Sequence, residues 1–195
     1  MSFLSDASLG ILIICSGFLM LFYGFKLKNS KIKKLSWAAI VCGILAIVFP
    51  VIGKSSNAIA YFKQGNIEDQ KGDLDAAIAD YSRAIELDPK YALVYGFRGL
   101  AKAKKGDWAG AIADDNKYIE LKPNDAAAYS NRGWAKVKTG DFDGAMADLN
   151  KAIELNPKYA TAYFNRGLAK AQKGDQAGAD SDLLQARQLD PNIGK

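Results

Sequence analysis

The strongest constraint on the fold is an internal repeat. The sequence matches itself without gaps at the offset that separates Tyr61 from Tyr95, which divides residues 58–193 into four copies: 58–91, 92–125, 126–159 and 160–193. An aromatic residue, two glycines, an alanine and a proline recur in every copy. The aromatic and proline positions are Tyr61, Tyr95, Tyr129, Tyr163, Pro89, Pro123, Pro157 and Pro191. A period of this length predicts a stacked array in which each unit buries its apolar face against its neighbours.

Each copy predicts two helices joined by a tight turn. In the second copy the helices are expected at 92–105 and 108–121, separated by Gly106 and Asp107. Glycine suits a left-handed helix end, and aspartate caps the helix that follows. Pro123 cannot continue a helix, so it separates this copy from the next. Gly99 lies in mid-helix at a cost of about 1 kcal/mol relative to alanine, which indicates close packing against a second helix.

The period and these residues resemble the tetratricopeptide repeat (TPR) family, whose unit is a helix–turn–helix of about 34 residues. The chain keeps the family's aromatic, glycine, proline and alanine positions, except that Tyr118 replaces one alanine. It departs from the family where leucine normally precedes the mid-helix glycine. The residues there are Gln64, Arg98, Arg132 and Arg166. The resemblance covers residues 58–193, more than two thirds of the chain, and implies an all-α, right-handed α-solenoid of four helix pairs.

The last copy differs from the others on one helical face. Gln176, Asp180 and Arg187 stand where the earlier copies carry apolar side chains. Spacings of four and seven put these three residues on the same side of a helix. Terminal units of repeat arrays need a polar outer face, so we expect this helix to cap the array.

Residues 1–54 predict a transmembrane hairpin. The segments 9–25 and 35–52 contain 17 and 18 uncharged residues, at the short end of the range for spanning helices. The segment 26–34 between them holds five lysines, and short lysine-rich loops stay in the cytoplasm. Both termini are then outside the cytoplasm. In a bacterium this places the hairpin in the inner membrane and the repeats in the periplasm.

Small residues lie on one face of each predicted span. They are Gly10, Gly17 and Gly24 in the first span and Ala39, Gly43 and Ala46 in the second. Small residues allow helix backbones to approach closely in lipid. Two interpretations follow: the spans pack against each other, or they dock onto a subunit of a larger membrane complex. The expected surroundings are therefore the lipid bilayer and, in the second case, membrane-complex subunits.

Charge and composition exclude several classes of function. The net charge is +5, but residues 58–193 contain 19 Lys and Arg against 20 Asp and Glu. A nucleic-acid-binding array would carry the positive excess itself, so we expect no nucleic acid as a partner. The chain has no histidine, and Cys15 and Cys42 both lie in apolar runs. We therefore expect no metal site, no cofactor and no catalytic residues, hence no enzyme.

TPR proteins bind partners in a concave groove lined by their first helices, and the resemblance implies the same for this chain. The corresponding residues are Phe62, Asn66, Phe97, Leu100, Asn131, Trp134, Phe164, Asn165 and Leu168. In several TPR proteins an asparagine at the site of Asn131 and Asn165 binds the backbone of an extended peptide, for which an amide has both donor and acceptor. Alternatively, these asparagines are structural and bind the neighbouring repeat.

The predicted groove does not suit an acidic tail. Chaperone-type TPR domains hold a carboxylate between polar side chains, and here Phe62 and Phe97 stand at two of those sites. The groove is expected to take an extended or apolar protein segment. Two functions are consistent with the sequence. One is a membrane-anchored scaffold that binds a partner for assembly or tethering of a complex; the other is a structural accessory subunit that docks through its hairpin.

The lysine-rich loop leads to a test of topology. We expect alkaline phosphatase fused after Lys195 to be active and a cytoplasm-only fluorescent reporter fused there to be dark, because both termini lie outside the cytoplasm. The two fusions are compared in intact cells at matched expression. Fluorescence together with an inactive phosphatase would contradict the periplasmic assignment.

Overall fold

The computed structural model describes residues 56–194. The predicted transmembrane hairpin at 1–54, with its small-residue faces, lies outside the described residues and stays a prediction. Within 56–194, the helices are all too short or too polar to cross a bilayer.

The described residues are all-α, as predicted, and contain eight helices and no strand. The first helix, α1, occupies 56–71. The others are α2 (Leu74–Leu87), α3 (Ala92–Lys104), α4 (Trp108–Leu121), α5 (Ala126–Thr139), α6 (Phe142–Leu155), α7 (Ala160–Gln172) and α8 (Gln176–Leu189). Each repeat contributes two successive helices, which pack against each other and against the next repeat.

The turn inside each repeat has the predicted chemistry. Gly106 has φ +85°, a conformation that side chains with a Cβ rarely adopt. The Asp107 side chain then accepts a hydrogen bond of 2.9 Å from the Gly110 backbone N–H, in the first turn of α4. Equivalent glycines with φ of 84° to 85° and equivalent aspartate caps close the other three repeats. These local contacts determine where the helices begin and end.

The mid-helix glycines let paired helices approach closely. A Cβ added to Gly65 would lie 2.6 Å from the Tyr81 ring, and one added to Gly133 would lie 2.8 Å from Leu149 Cγ. Such distances exclude any larger residue without movement of the neighbouring side chain. The predicted reason for keeping these glycines is therefore confirmed. The buried alanines Ala77, Ala84, Ala111, Ala145, Ala152, Ala179 and Ala186 show the same tight packing on the second helices.

The arginines that replace the family's leucine form buried ion pairs. Arg132 donates through Nε to Asp148 Oδ2 at 2.8 Å, and its Nη2 forms a salt bridge with Oδ1. Lys136 adds a second salt bridge to Asp148 at 2.8 Å. The hydrogen bond from Arg132 to Asp148 raises the pKa of Arg132. The same three-residue arrangement occurs one repeat earlier and one repeat later, as Arg98–Asp114–Lys102 and Arg166–Asp182–Lys170.

Each of these arginines also bonds to the preceding repeat through its remaining nitrogen. Arg132 Nη1 donates to Asn116 Oδ1 at 2.7 Å, and Arg166 Nη1 donates to Asn150 Oδ1 at 2.8 Å. Arg98 Nη1 donates to a hydroxyl at the equivalent position, Ser82 Oγ, at 3.0 Å. One guanidinium thus links the second helix of its own repeat to the second helix of the repeat before it. We call this series of contacts the arginine ladder.

The polar face predicted for the last helix is exposed. Gln176, Asp180 and Arg187 all contact solvent, and Gln176 Nε2 donates to Asp180 Oδ1 at 2.9 Å. At the ladder position of Ser82 and Asn116, helix α8 carries Leu184, which is 58% exposed.

The arginine ladder can be tested by restoring the family's leucine. We expect Arg132→Leu to destabilise the protein by about 3 kcal/mol, because removing one partner leaves the Asp148 carboxylate buried and poorly compensated. The double variant Arg132→Leu/Asp148→Asn should recover part of this loss, since it removes the buried charge as well. Unfolding in urea, followed by far-UV circular dichroism of the full chain, measures both effects.

The matched control is Arg83→Leu, because Arg83 is an exposed arginine on α2. Exposed substitutions of this kind usually change stability by less than about 0.5 kcal/mol. An Arg132→Leu variant as stable as the control would show that the ladder contributes nothing to the fold.

Candidate functional site: the groove face

The predicted groove residues all lie on the first helices of the four repeats. Phe62 and Asn66 are on α1, Phe97 and Leu100 are on α3, and the remaining five are on α5 and α7. We call the surface formed by these residues the groove face. Their burial varies widely: Phe97 is 39% exposed and Leu100 41% exposed, whereas Asn165 is only 7% exposed. The groove face is therefore chemically uneven along the array.

Between the first and second repeats the groove face is aromatic. The Phe62 ring centroid lies 5.2 Å from that of Phe97 and 5.4 Å from that of Tyr91. Tyr81 lies beneath, with its ring 6.1 Å from Phe62 and 6.2 Å from Phe97. The Tyr81 hydroxyl donates to Asn66 Oδ1 at 2.8 Å, so this amide oxygen already has a partner within the protein. Ring contacts of this kind stabilise a cluster by about 0.5–1.5 kcal/mol per pair.

An exposed apolar stripe continues from this cluster along α3. Leu93, Phe97 and Leu100 follow one another at spacings of four and three, and each is about 40% exposed. Ile59 is 42% exposed at the position equivalent to Leu93 on α1. An apolar stripe on a helix normally faces a protein core. Where it faces solvent as a contiguous patch, it marks an interaction surface.

Between the second and third repeats the same three positions carry no aromatic side chain. One repeat later, Gly96 stands at the position of Phe62, Asp115 at that of Tyr81 and Asn131 at that of Phe97. Asp115 is 3% exposed, and its Oδ1 lies 3.4 Å from the point that a Cβ on Gly99 would occupy. A carboxyl group thus takes the floor position that an aromatic ring fills one repeat earlier. The expectation of an apolar and aromatic groove therefore fits the first repeats but not this part.

The environment of Asp115 favours its neutral form. Burial raises the pKa of this carboxyl group to about 7, and the adjacent Asp114 carboxylate adds to the effect. The positive charge of Arg132 acts in the opposite direction but does not cancel them. Asp115 accepts no hydrogen bond from any of residues 56–194. Every fully buried side-chain oxygen in this part of the chain has a hydrogen-bond partner. The Asp115 carboxyl oxygens are therefore not fully buried, and they retain a small contact with solvent.

The two groove asparagines differ in their surroundings. Asn165 Nδ2 donates to Ser130 Oγ at 3.3 Å, and Ser130 is fully buried in the preceding repeat. This is the structural contact that the sequence left as an alternative. Asn131 has Gly96 at the position corresponding to Ser130, so that contact is absent. Within the described part of the chain, the Asn131 side chain is half-buried and has no hydrogen bond.

The last three predicted residues lie in more enclosed parts of the groove face. The Trp134 ring carries Lys138 Nζ above it, 4.2 Å from the centroid. Phe164 packs against the C-terminal turn, where a Cβ on Gly194 would come within 2.7 Å of its ring. Leu168 is half-buried on α7. The exposed apolar surface is thus concentrated on the first two repeats.

Sequence reasoning missed three residues of this surface: Leu93, Tyr91 and Asp115. Leu93 required knowing which face of α3 is exposed, and Tyr91 required knowing that the residue before α3 packs against Phe62. Asp115 could have been found from the repeat alignment, because the equivalent residues are Tyr81, Leu149 and Leu183. One acid in an otherwise apolar column is a signal of special chemistry. Among residues 56–194, no group of His, Cys, Asp and Glu side chains is arranged to hold a metal ion.

Two family models match the chain. One described as TPR repeat matches 58–106 and 133–174, and one described as tetratricopeptide repeat matches 160–193. The chain belongs to the tetratricopeptide repeat family. Among curated proteins, no sequence matches it significantly.

Several solved structures share the fold. A crystal structure of MamA protein is 27% identical with a TM-score of 0.65, over 70% of this chain and 75% of that one. The first TPR of Spaghetti (RPAP3), bound to the HSP90 peptide SRMEEVD, is 25% identical with a TM-score of 0.60, over 62% and 95%. The TPR protein TTC0263 from Thermus thermophilus is 23% identical with a TM-score of 0.62, over 69% and 75%.

Asp115 leads to a prediction about stability and pH in this TPR array. Its pKa rises from an ordinary 3.8 to about 7 on folding, so between these values the folded state holds a proton that the unfolded state has lost. The contribution of Asp115 to the free energy of unfolding therefore decreases as the pH rises towards 7. We expect Asp115→Leu, which copies repeats three and four, to stabilise the protein by about 1–3 kcal/mol at pH 8 and by less at pH 5.

Urea unfolding of the full chain at the two pH values measures this difference. Asp143→Leu is the control, because Asp143 is an exposed acid in the next repeat. A gain for Asp115→Leu that is the same at pH 5 and pH 8 would show that the carboxyl group ionises normally.

Proposed function

We propose that this protein is a membrane-anchored, non-enzymatic TPR adaptor that binds an extended apolar segment of a protein partner on its groove face. The hairpin at 1–54 holds the array at a bacterial inner membrane, with the repeats in the periplasm. The role that fits this arrangement is assembly or tethering of a membrane or periplasmic complex.

One observation carries the binding part of this proposal: the exposed stripe of Leu93, Phe97 and Leu100 beside the aromatic cluster. Phe97 belongs to both, since it contacts the Phe62 ring and still exposes 39% of its surface. Large, partly exposed aromatic side chains in a fixed position are the usual anchors of protein interfaces. A segment that covers the stripe would bury apolar surface, which stabilises a complex by about 25 cal/mol per Å².

The comparison with Spaghetti (RPAP3) supports a peptide as the ligand, because that TPR is bound to the HSP90 peptide SRMEEVD. The ligand chemistry differs, however. SRMEEVD contains three acidic residues, whereas the groove face of this chain presents Phe62 and Phe97, with Asp115 buried beneath it. An acidic carboxylate would meet apolar rings at one site and a carboxyl group at the next. We therefore propose an apolar partner segment.

Membrane anchoring is supported by the sequence. The two uncharged segments 9–25 and 35–52 and the five lysines between them are typical of a hairpin with a cytoplasmic loop. The hairpin would tether the repeats to the membrane, where segments of membrane or periplasmic proteins are accessible.

The test is recovery of the partner with the tagged full chain in mild detergent. We expect Phe97→Ala/Leu100→Ala to lower recovery at least about tenfold, because truncating anchor residues of an interface commonly costs more than about 1.4 kcal/mol in total. Leu184→Ala is the matched control, since Leu184 is an exposed leucine on α8, away from the groove face. Thermal unfolding of each variant shows that the fold is unchanged.

The same experiment separates the alternative function. A groove variant that recovers the partner like the unaltered chain would contradict groove binding. Loss of recovery with Gly17→Leu/Gly43→Leu, in the same assay, would instead assign partner contact to the hairpin, as expected for a structural accessory subunit.

A further inference from the structure

Asp115 differs from every other buried acid in the described part of the chain. Four aspartates are buried there: Asp114, Asp115, Asp148 and Asp182. Three of them form salt bridges with both an arginine and a lysine, within the arginine ladder. Asp115 alone among the four has no salt bridge to a described residue. Burying an acid without a partner is costly, so this position needs an explanation outside the array's own packing.

The position of Asp115 in the repeat places it under the groove face. One repeat earlier, Tyr81 occupies this site and contacts the rings of Phe62 and Phe97. At the Asp115 site those two residues are Gly96 and Asn131. The Tyr118 ring packs against Gly96, where an added Cβ would lie 3.1 Å from Tyr118 Cδ2, whereas Asn131 adds an amide and no apolar cover. Asn131 is half-buried and has no hydrogen bond to a described residue. An acid with residual solvent contact and an amide with unused donor and acceptor thus occupy, one repeat further along, the positions of Tyr81 and Phe97.

We propose that Asp115 and Asn131, bordered by the Tyr118 ring that packs against Gly96, form an acidic subsite that accepts a lysine or arginine side chain of the same partner segment that the apolar stripe binds. This inference rests on the proposed function, and it adds the chemical pattern of the ligand. A long cationic side chain can reach a buried carboxylate while its aliphatic stem covers apolar surface. Its positive charge would form a salt bridge with Asp115, as an arginine and a lysine do with Asp114 and with Asp148.

The spacing of the two subsites determines the spacing in the ligand. The aromatic cluster lies between α1 and α3, and the acidic subsite lies one repeat further, between α3 and α5. Packed helices are about 8–10 Å apart, and an extended chain advances about 3.3 Å per residue. The partner segment should therefore carry a basic residue about three positions from an aromatic or large aliphatic residue.

The charged groups around Asp115 are arranged so that binding depends on pH. Asp114 on its own helix is paired with Arg98 and Lys102 of α3. Arg132 of α5 and Asp148 of α6 also act on Asp115, but they are paired with each other. In the free protein the pKa of Asp115 is about 7. A cation binds the ionised form better, so affinity should rise as pH increases through 7 and the free carboxyl group loses its proton.

The first experiment selects ligands from a phage-displayed library of random dodecapeptides on the full chain, held in detergent by a C-terminal tag. We expect selected peptides to show Lys or Arg about three positions from an aromatic residue or leucine, about tenfold above the library frequency. Asp115→Asn should keep the apolar preference and lose the basic one. Glu86→Gln is the matched control: Glu86 is an exposed acid on α2, so its removal should leave both preferences unchanged.

The second experiment measures one selected peptide by fluorescence anisotropy. Its affinity for the unaltered chain should rise about tenfold between pH 5.5 and pH 8, and its affinity for Asp115→Asn should stay constant. A constant affinity for the unaltered chain would overturn the subsite.

The remaining outcomes separate this inference from the proposed function. Apolar peptides without a basic preference, or a basic preference that survives in Asp115→Asn, would overturn the acidic subsite while groove binding stands. Peptides that bind Phe97→Ala/Leu100→Ala as well as the unaltered chain, or a selection that enriches nothing, would overturn both.

Discussion

The array depends on a buried ion pair between arginine and aspartate that is repeated in three of its four units. Burying both charges is favourable only when the geometry is good and every polar atom has a partner. Here Arg132 bonds to both Asp148 oxygens through two nitrogens and reaches Asn116 of the preceding repeat with a third. A repeat displaced along the array would leave these groups buried and unpaired. The ladder therefore stabilises one register, in a fold whose units cannot stand alone.

Because the ladder and the glycine contacts hold the helices, the groove face is free to vary from one repeat to the next. The first junction between repeats is aromatic, with Tyr81 beneath Phe62 and Phe97. The second contains Asp115 and the Asn131 amide, which has no hydrogen bond to a described residue. At the third, Asn165 donates a hydrogen bond to Ser130 of the preceding repeat. A partner segment would meet three different environments in order, which is how a regular scaffold acquires specificity. Burial raises the pKa of Asp115 to about 7, and in the proposed complex a cationic ligand would favour the ionised carboxylate.

Solved structures of similar fold do not identify the ligand of this chain. MamA protein and the TPR of Spaghetti (RPAP3) share this fold at 27% and 25% identity. At that level of identity a shared fold leaves the side chains that meet a ligand free to differ. Fold alone therefore does not assign the ligand, and the proposal for this chain rests on its own exposed stripe and buried acid.

The sequence by itself determined the all-α fold, the four two-helix units and their turns. Those features follow from local rules: Gly106 is needed for a left-handed φ, Asp107 caps the next helix, and Pro123 ends the unit. The sequence also placed the groove residues on the first helices. Only the tertiary structure decided that Arg132 pairs with Asp148, that Asn165 is held by the preceding repeat and that Asp115 is buried without a cation. These features depend on which side chains meet between helices, and no rule confined to a single helical turn contains that information.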